Sequence, residues 1–439
     1  MILRINIFLL LLISSACFGQ SDLSAKQAVF VALENNYQIL VANKQLSISE
    51  KNNKWSEAGM FPTVSLNVTN GNSIQDNTNN PFTFTPGIIL SQSINPSLNA
   101  DWNIFSGFAV RISKQRLAQL EEQSANNALA VIESTTQEIL KAYYTVQLQT
   151  ERQKLFQSIL DLSRERYEYY QLKEKYSSSN SMELMQFKNQ YLTDSINYIM
   201  QEISSDNSVR NLKLLMNDTT DTQYNLTDKL DLAVFEVDIA NAKKQLLENN
   251  SNLKNQYIGM ELQRTNTSFQ KSFLYPTLSF QAGVNPGWNW IKEIQNDAFE
   301  AETRSLSYYA NFNLRYTIFN NWKNQRAVEV SKIQEEIAEL NIKDMQRSLE
   351  STLDNLLALF EARTRMVSIS TENIVYAKKM YEMAETRFDL GGINSIDLTN
   401  LQNSYENTMI QHYEHLFNKL DTYLEIYKLT GKLGLEYEK

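Results

Sequence analysis

Residues able to do covalent or metal chemistry are few here and poorly placed for it. The two histidines, His412 and His415, stand three apart, a spacing that puts both on one face of a helix. Two imidazoles could face one metal ion, but a site needs a third or fourth ligand and none is evident by spacing. The single cysteine, Cys17, can form neither a disulfide framework nor a thiolate cluster. Gly391-Gly392 lacks the Lys-Ser/Thr that follows the glycines of a phosphate-binding loop, and it reads as a turn. Two clustered histidines leave no plausible Ser/His/Asp arrangement. The chain therefore reads as a non-enzyme, with no catalytic residue, no metal ligand and no cofactor. Its 50 acidic against 41 basic residues argue against nucleic acid as a partner.

What the polar residues can do is solvate one side of a sheet. Asn99, Asp101 and Asn103 alternate with Leu98, Ala100, Trp102 and Ile104. Asn313 and Arg315 alternate with Phe312, Leu314, Tyr316 and Ile318. The same alternation runs through Val64, Leu66 and Val68, and through Leu278, Phe280, Ala282 and Val284. Period two marks β-strands with one apolar and one polar face. Strands of roughly 9–11 residues suit a membrane crossing. Long loops are expected at about 70–97 and 285–307. Phe61, Phe105, Phe108, Tyr275, Phe319 and Trp322 gather at one end of these strands, as aromatic girdles do at a membrane interface. In that setting Asn99, Asp101, Asn103, Asn313 and Arg315 face a barrel lumen.

A tandem duplication sets the frame for these strands. Leu33-Glu34-Asn35-Asn36 recurs as Leu247-Glu248-Asn249-Asn250, and Phe61-Pro62-Thr63 as Tyr275-Pro276-Thr277. Ile104-Phe105 recurs as Ile318-Phe319, Asn180-Ser181-Met182-Glu183-Leu184 as Asn394-Ser395-Ile396-Asp397-Leu398, and Tyr191 as Tyr405. Every pair is 214 positions apart, from 33 and 247 to 191 and 405. Chance matches would scatter over many offsets, so the chain has two equivalent halves. The first repeat is read as 20–217 with a hairpin at about 62–106. The second is 238–431 with a hairpin at about 276–319. A linker spans 218–237, placed at the equator, and a tail spans 432–439.

All six prolines fall between Pro62 and Pro96 or at Pro276 and Pro286, which leaves long stretches free to be helical. A first helix is expected from the N-cap Ser24, with Gln27 completing a capping box, to about Glu57; its mate runs from Asp238 to about Ser272. Longer helices are expected from Phe108 to about Lys173 and from Trp322 to Phe388. Helices of ~65 residues would each span ~100 Å. Apolar residues at spacings of three and four, Ile333-Ile337-Leu340 and Leu349-Leu353-Leu356-Phe360, give the second of these a one-sided stripe. Tyr143, Tyr144, Tyr167, Tyr381, Met380 and Met383 are read as interhelical packing. Each long helix ends near a turn, 176–181 or 389–395, and a shorter helix returns.

Residues 1–19 read as a signal peptide: Arg4, then the apolar run from Ile7 to Ile13, then Ser14, Ser15, Ala16 and Gly19. Cleavage is placed after Gly19. Lipidation of Cys17 is the alternative, disfavoured because Ser14 stands where a lipobox has an aliphatic residue. Beyond this segment no apolar run approaches the ~18–20 residues of a spanning helix. Four strands cannot close a barrel, and open edges are not tolerated in lipid. Three copies would supply twelve strands. Two would supply eight, a barrel filled by its own side chains.

Leu23-Ser24-Ala25-Lys26-Gln27-Ala28-Val29-Phe30-Val31-Ala32-Leu33-Glu34-Asn35-Asn36 resembles the opening signature of TolC-type outer membrane efflux proteins. Arg387-Phe388-Asp389-Leu390-Gly391-Gly392, followed by Ile396-Asp397-Leu398, resembles that family's periplasmic tip motif. The resemblance implies a mainly α fold with a transmembrane β part. Three chains would build a 12-stranded β-barrel, four strands from each, continued by a 12-helix α-helical periplasmic tunnel. It implies an outer-membrane exit duct extending into the periplasm, in a tripartite efflux or type I secretion system. Its partners would be a homotrimer of itself, a periplasmic adaptor (membrane fusion) protein, an inner-membrane transporter and outer-membrane lipid. Acidic residues inside the tip narrow the closed entrance in that family. Asp397 matches one such position, Asn400 stands where a second Asp is found, and Glu183 is the first-repeat equivalent of Asp397. The turns that would meet the adaptor hold Ser177, Ser178, Asn180 and Ser181 in one repeat and Gly391, Gly392, Asn394 and Ser395 in the other. The alternative is a periplasmic coiled-coil scaffold or adhesin stalk, which explains the helices but not four phase-matched strands.

Overall fold

The computed structural model describes residues 21–176, 181–220, 222–229, 237–295 and 299–433. The signal segment, Cys17, and the turn residues Ser177, Ser178 and Asn180 lie outside the described residues. The chain opens with β1 (Ser21–Leu23), α1 (Ala25–Asn35) and α2 (Tyr37–Asn52). A hairpin of β2 (Thr63–Asp76) and β3 (Ile88–Ser106) follows, then α3 (Ala109–Tyr176) and α4 (Ser181–Met216). After β4 (Tyr224–Leu226) the series recurs as α5 (Ile239–Asn249), α6 (Ser251–Ser272), β5 (Thr277–Glu293), β6 (Glu300–Arg315), α7 (Lys323–Asp389) and α8 (Ser395–Leu429). Corresponding helices start at Ala25 and Ile239, Tyr37 and Ser251, Ala109 and Lys323, and Ser181 and Ser395, each pair 214 apart.

The capping box at Ser24 forms in full: Ser24 Oγ accepts from Gln27 N (3.2 Å) and Gln27 Oε1 from Ser24 N (2.9 Å). The helix it starts is shorter than the sequence suggests, because the chain breaks at Asn36 and again at the mate, Asn250. Each break is built by the asparagine itself. Asn36 Nδ2 donates to Leu215 O (2.8 Å), and its Oδ1 accepts from Gln38 N (2.9 Å). Asn250 Nδ2 donates to Leu429 O (2.9 Å), and its Oδ1 accepts from Leu253 N (2.9 Å). A short amide side chain competes with the backbone ladder and caps the next helix, so no proline or glycine is needed.

The described residues form two compact units. One draws on Met1–Gln45, Ala125–Asn255 and Lys343–Lys439; the other on Leu46–Ser124 and Gln256–Ile342. In the first, Ala28 and Ala32 of α1 pack on Ile139 and Tyr143 of α3, Leu212 of α4, and Leu420 and Leu424 of α8. A second cluster joins Ala242, Leu246, Leu353 and Ile426. These are the repeat mates of Ala28, Ala32, Ile139 and Leu212, so each half builds the same small core. Burying one such leucine or isoleucine contributes about 2–3 kcal/mol. The linker supplies β4, which pairs in parallel with β1. Tyr143 fastens the pair: its hydroxyl donates to Leu23 O (2.8 Å) and accepts from Asp228 N (3.1 Å).

The second unit holds an antiparallel sheet of order β2-β3-β5-β6. Its strands run 14, 19, 17 and 16 residues, longer than expected. The strands reach far into the loops foreseen at 70–97 and 285–307, β2 to Asp76, β3 from Ile88, β5 to Glu293 and β6 from Glu300, while β6 stops at Arg315, short of Ile318. Asn70-Gly71 and Asn285-Pro286-Gly287 look like turns but lie inside strands. Pro96 and Pro286 sit where the pairing of β3 with β5 lapses, between Ile94↔Trp288 and Leu98↔Val284. An imino acid costs no ladder bond at such a gap.

Each sheet-to-helix junction reverses through two consecutive left-handed residues, Gly107 (φ 61°) and Phe108 (φ 69°) in one repeat, Asn321 (φ 58°) and Trp322 (φ 56°) in the other. Asparagine is among the non-glycine residues that tolerate this region best. At Gly107 a Cβ would lie 2.2 Å from Ser272 O, so glycine is required twice over.

Candidate functional site

The four strands share one alternation. Across the sheet, Val64 pairs with Ala100, Leu66 with Leu98, Leu98 with Val284 and Trp102 with Phe280; Phe280 pairs with Phe312 and Leu278 with Leu314. These form one continuous apolar face. The alternate positions form a polar face: Ser65, Asn99, Gly283 and Tyr309 in one row, Thr63, Asp101, Gln281 and Asn311 in the next, then Asn103, Ser279 and Asn313. Arg315, opposite Thr277, adds the last row. All five residues assigned to a lumen thus share one face. Tyr309 lies across that face and donates to Asn99 Oδ1 (2.9 Å). Gly283 makes room for it, since a Cβ there would come within 2.7 Å of the Tyr309 ring.

Two aromatic belts bound the apolar face. At the helix end, Phe105 and Phe108 meet edge to face at 5.2 Å, Phe108 and Tyr275 at 5.9 Å, and Phe319 and Trp322 at 5.0 Å. At the far end Trp288 donates its indole N–H to Glu302 (2.7 Å), and Trp290 to Glu300 (2.9 Å). Arg304 completes the charged rim by pairing with Glu302 at 2.7 Å. The sequence reading missed this second belt by assigning it to a loop. From Phe105 to Ile94, the partner of Trp288, is eleven residues of strand. At ~3.4 Å each and a tilt of ~40° that is ~28 Å of height, close to the ~25 Å apolar band of a membrane barrel.

At the turn between α7 and α8, α7 closes with Gly391 (φ 73°), and Gly392 N donates to Arg387 O (2.7 Å). Asn394 then caps α8 by accepting from Asp397 N (2.8 Å), which sets the Asp397 carboxylate in the first turn, where the helix dipole favours it. Glu183 holds the same place on α4. Glu183 and Asp397 line one cleft with Arg166, Lys173, Glu385 and Asp389; Asn400 is exposed on α8 and is not part of its wall. Ser181, Gly391, Gly392 and Asn394 are exposed. Ser395 is not: it is buried and donates its hydroxyl to Gln186.

Sequence reasoning missed an aromatic cluster and an arginine clasp at this end, while Tyr167 and Tyr381, read as interhelical packing, do stack between helices. Tyr170, Phe187 and Phe388 form an aromatic cluster with centroids 4.5–6.2 Å apart. Tyr167 stacks on Tyr191 at 5.8 Å and Tyr381 on Tyr405 at 6.0 Å, which makes the two stacks repeat mates. Arg166 of α3 clasps the second repeat, donating to Gln402 (2.5 Å), Tyr381 (2.8 Å) and Glu385 (2.9 Å). Burial pushes the Tyr381 phenol up to about 12, so it stays protonated and donates onward to Glu385 (3.2 Å). The mate of Arg166 is Met380, so the duplication gives no hint of the clasp. His412 Nδ1 shares a hydrogen bond with Ser370 (2.8 Å), and among the described residues no three His, Cys, Asp or Glu could hold a metal. No described helix is long and apolar enough to cross a membrane.

Comparison with known proteins agrees with this geometry. The family model described as "Outer membrane efflux protein" matches residues 29–218 and 242–432, one segment in each repeat. Among solved structures, CusC aligns with a TM-score of 0.75 at 14% identity, covering 94% of this chain and 93% of its own. The Campylobacter jejuni CmeC outer membrane channel aligns at 0.75 and 15%, covering 93% and 85%. The Neisseria gonorrhoeae MtrE outer membrane channel, in its open state, aligns at 0.74 and 16%, covering 93% and 89%. No curated protein sequence matches the chain. With a four-stranded sheet that is apolar on one face, long duplicated helices and a family match across both repeats, the chain belongs to the outer membrane efflux protein family and resides in the outer membrane.

Proposed function

We propose that three copies close a twelve-stranded barrel and a twelve-helix tunnel, which passively conducts substrates handed over by an inner-membrane pump through a periplasmic adaptor. The observation that carries this reading is the pair of open sheet edges. Strands β2 and β6 each have one paired side and one free side, while the face they share is apolar throughout the span. Unpaired backbone groups cost several kcal/mol each in hydrocarbon, so the edges need partners of their own kind. The helices carry the same demand. Leu192, Ile196, Ile199 and Ile203 form an exposed stripe on α4 at spacings of four, three and four, and Ile333, Ile337 and Leu340 form another on α7. Stripes of this period are what neighbouring helices cover.

In this reading conduction is passive and the driving force comes from the pump. Asn99, Asp101, Asn103, Asn313 and Arg315 would wet the barrel lumen. Asp397 and Glu183 would narrow the periplasmic entrance, with Asn400 a turn further in. The exposed turn residues Ser181, Gly391, Gly392 and Asn394 would meet the adaptor. An adaptor that binds the open arrangement better shifts the population toward it. In planar bilayers the purified protein should give discrete conductance steps, and Asp397→Ala with Glu183→Ala should alter conductance or cation block. A protein that never conducts would refute the channel, and unchanged single-channel behaviour would remove the two carboxylates from the gate.

A further inference from the structure

The connection between β2 and β3 carries its apolar residues on the outside. It runs over residues 77–87, between Asp76 and Ile88, and is held in shape by its own hydrogen bonds. Asn77 N donates to Gly87 O (2.9 Å) and closes the neck. Asn80 N donates to Asn77 O (3.1 Å), and Asn80 Oδ1 accepts from Phe82 N (3.2 Å). Thr83 Oγ1 accepts from Thr85 N (3.3 Å). Pro81 and Pro86 fix φ on either side of the tip. Thr83 and Thr85 are half-buried in this scaffold, while Phe82 is 92% and Phe84 104% exposed. Single exposed apolar residues are ordinary, but two phenylalanines presented together on a built loop mark a contact surface.

The base of the loop lies over the polar face. Among the described residues of β2, β3, β5 and β6, only Ile89 and Glu293 are buried. They are register partners, and both continue the polar-face alternation of Asn99 and Gly283. The backbone at Gly87 covers Glu293: a Cβ there would come within 2.7 Å of Glu293 Oε1, which also accepts from Gln295 N (3.0 Å). The sheet is thus capped at this end on the face that the channel reading assigns to the lumen.

Height excludes lipid as the partner of the two rings. Gln92 pairs with Trp290 of the far aromatic belt, and four more residues of β3 lead to Ile88. At ~3.4 Å each and a tilt of ~40°, the loop begins ~10 Å beyond that belt, clear of hydrocarbon. Width admits further copies of the chain. Twelve strands ~4.8 Å apart at this tilt enclose a barrel of ~12 Å radius. Half of the loop, extended, spans up to ~18 Å, so loops leaning inward from three copies meet at the axis.

We propose that Phe82 and Phe84 of three copies close over the extracellular mouth as an apolar ring, an outer constriction that sheds water and stops polar solutes until it is parted. A narrow apolar neck blocks by dewetting, with no charge or hydrogen bond required. The ring rests on the channel reading and adds to it a barrier built by the barrel unit itself.

Thiol chemistry on intact cells tests it, because Cys17 is the only native cysteine and the wild type should give no signal. Phe84→Cys treated with a short bismaleimide should yield covalent dimers of the chain. Asn313→Cys, exposed on the barrel wall and ~20 Å from its copies, should yield none. The same wall thiol reads the barrier. A bulky, membrane-impermeant maleimide added outside should label Asn313→Cys slowly behind the native loop. Behind Phe82→Ser with Phe84→Ser it should label about tenfold faster or more, the factor for a ring open a tenth of the time or less. Both phenylalanines are exposed in the single chain, so the serines leave its fold intact. Absence of dimers, a crosslink to a different protein in their place, or one labelling rate with and without the phenylalanines overturns the ring. Labelling without dimers sinks the ring alone. No labelling of Asn313→Cys behind either loop shows that this face is not a lumen and sinks the channel reading itself.

Discussion

Leu98 and Asn99 are adjacent in β3, yet they should respond to the same substitution in opposite ways. Leu98 lies on the apolar face between Leu66 and Val284, near the middle of the ~28 Å between the two aromatic belts. An arginine there must reach water past roughly half of that band. The cost is about 2–4 kcal/mol per copy, or about 6–12 kcal/mol for a trimer. Asn99 lies on the polar face beside Ser65 and Gly283, where an added guanidinium stays solvated and the substitution forfeits only the Tyr309 hydrogen bond, about 1 kcal/mol. Unfolding titrations in lipid vesicles, together with resistance of the assembled form to detergent, measure the difference. Leu98→Arg should abolish the resistant assembly or lower its unfolding midpoint sharply. Asn99→Arg should assemble normally and shift ion preference toward anions. Equal destabilisation by the two variants, or tolerance of Leu98→Arg, would show that the faces are not lipid and lumen.

Other variants probe the helical unit and the junctions. Arg166→Ala removes three hydrogen bonds between the repeats and, with Glu385 partly screened, should cost about 1–2 kcal/mol; it should also raise the open fraction in bilayers, whereas an unchanged thermal midpoint and unchanged gating would deny the clasp. Asn36→Ala and Asn250→Ala should each cost about 1–2 kcal/mol and by similar amounts, because each removes one bond to a helix-end carbonyl and one cap; calorimetry that finds only one of them destabilising would break the equivalence of the halves. Gly107→Ala should prevent folding, with a Cβ 2.2 Å from Ser272 O, while Gly391→Ala, open on all sides, should cost about 1 kcal/mol of left-handed strain; comparable yields of folded protein from both would contradict the junction geometry.

Much of this architecture was legible from residue order alone. The fixed offset between repeats located the starts of the opening, long and return helices in both halves, because duplicated packing keeps duplicated positions; it did not locate the second starts at Tyr37 and Ser251. The phase of the strands was legible because two environments, oil and water, impose a strict alternation. Strand length was not, since Asn70-Gly71 and Asn285-Pro286-Gly287 carry the chemistry of turns and only the sheet reveals that their neighbours tolerate them. The breaks at Asn36 and Asn250 depend on carbonyls 179 residues away, Leu215 and Leu429, which no local pattern announces. The clasp of Arg166 on Gln402, Tyr381 and Glu385 was invisible for the same reason: it joins three helices, and the repeat puts Met380 at the mate of Arg166. At the tip, Glu183 and Asp397 fall in one cleft, whereas Ser395 is taken up by Gln186.

The most direct test is the mass of the complex extracted from outer membranes in mild detergent and measured by native mass spectrometry. Closure of the β2 and β6 edges predicts three copies of the chain and no stable smaller species. A single copy, soluble without detergent and with its sheet folded back on its own helices, would contradict it.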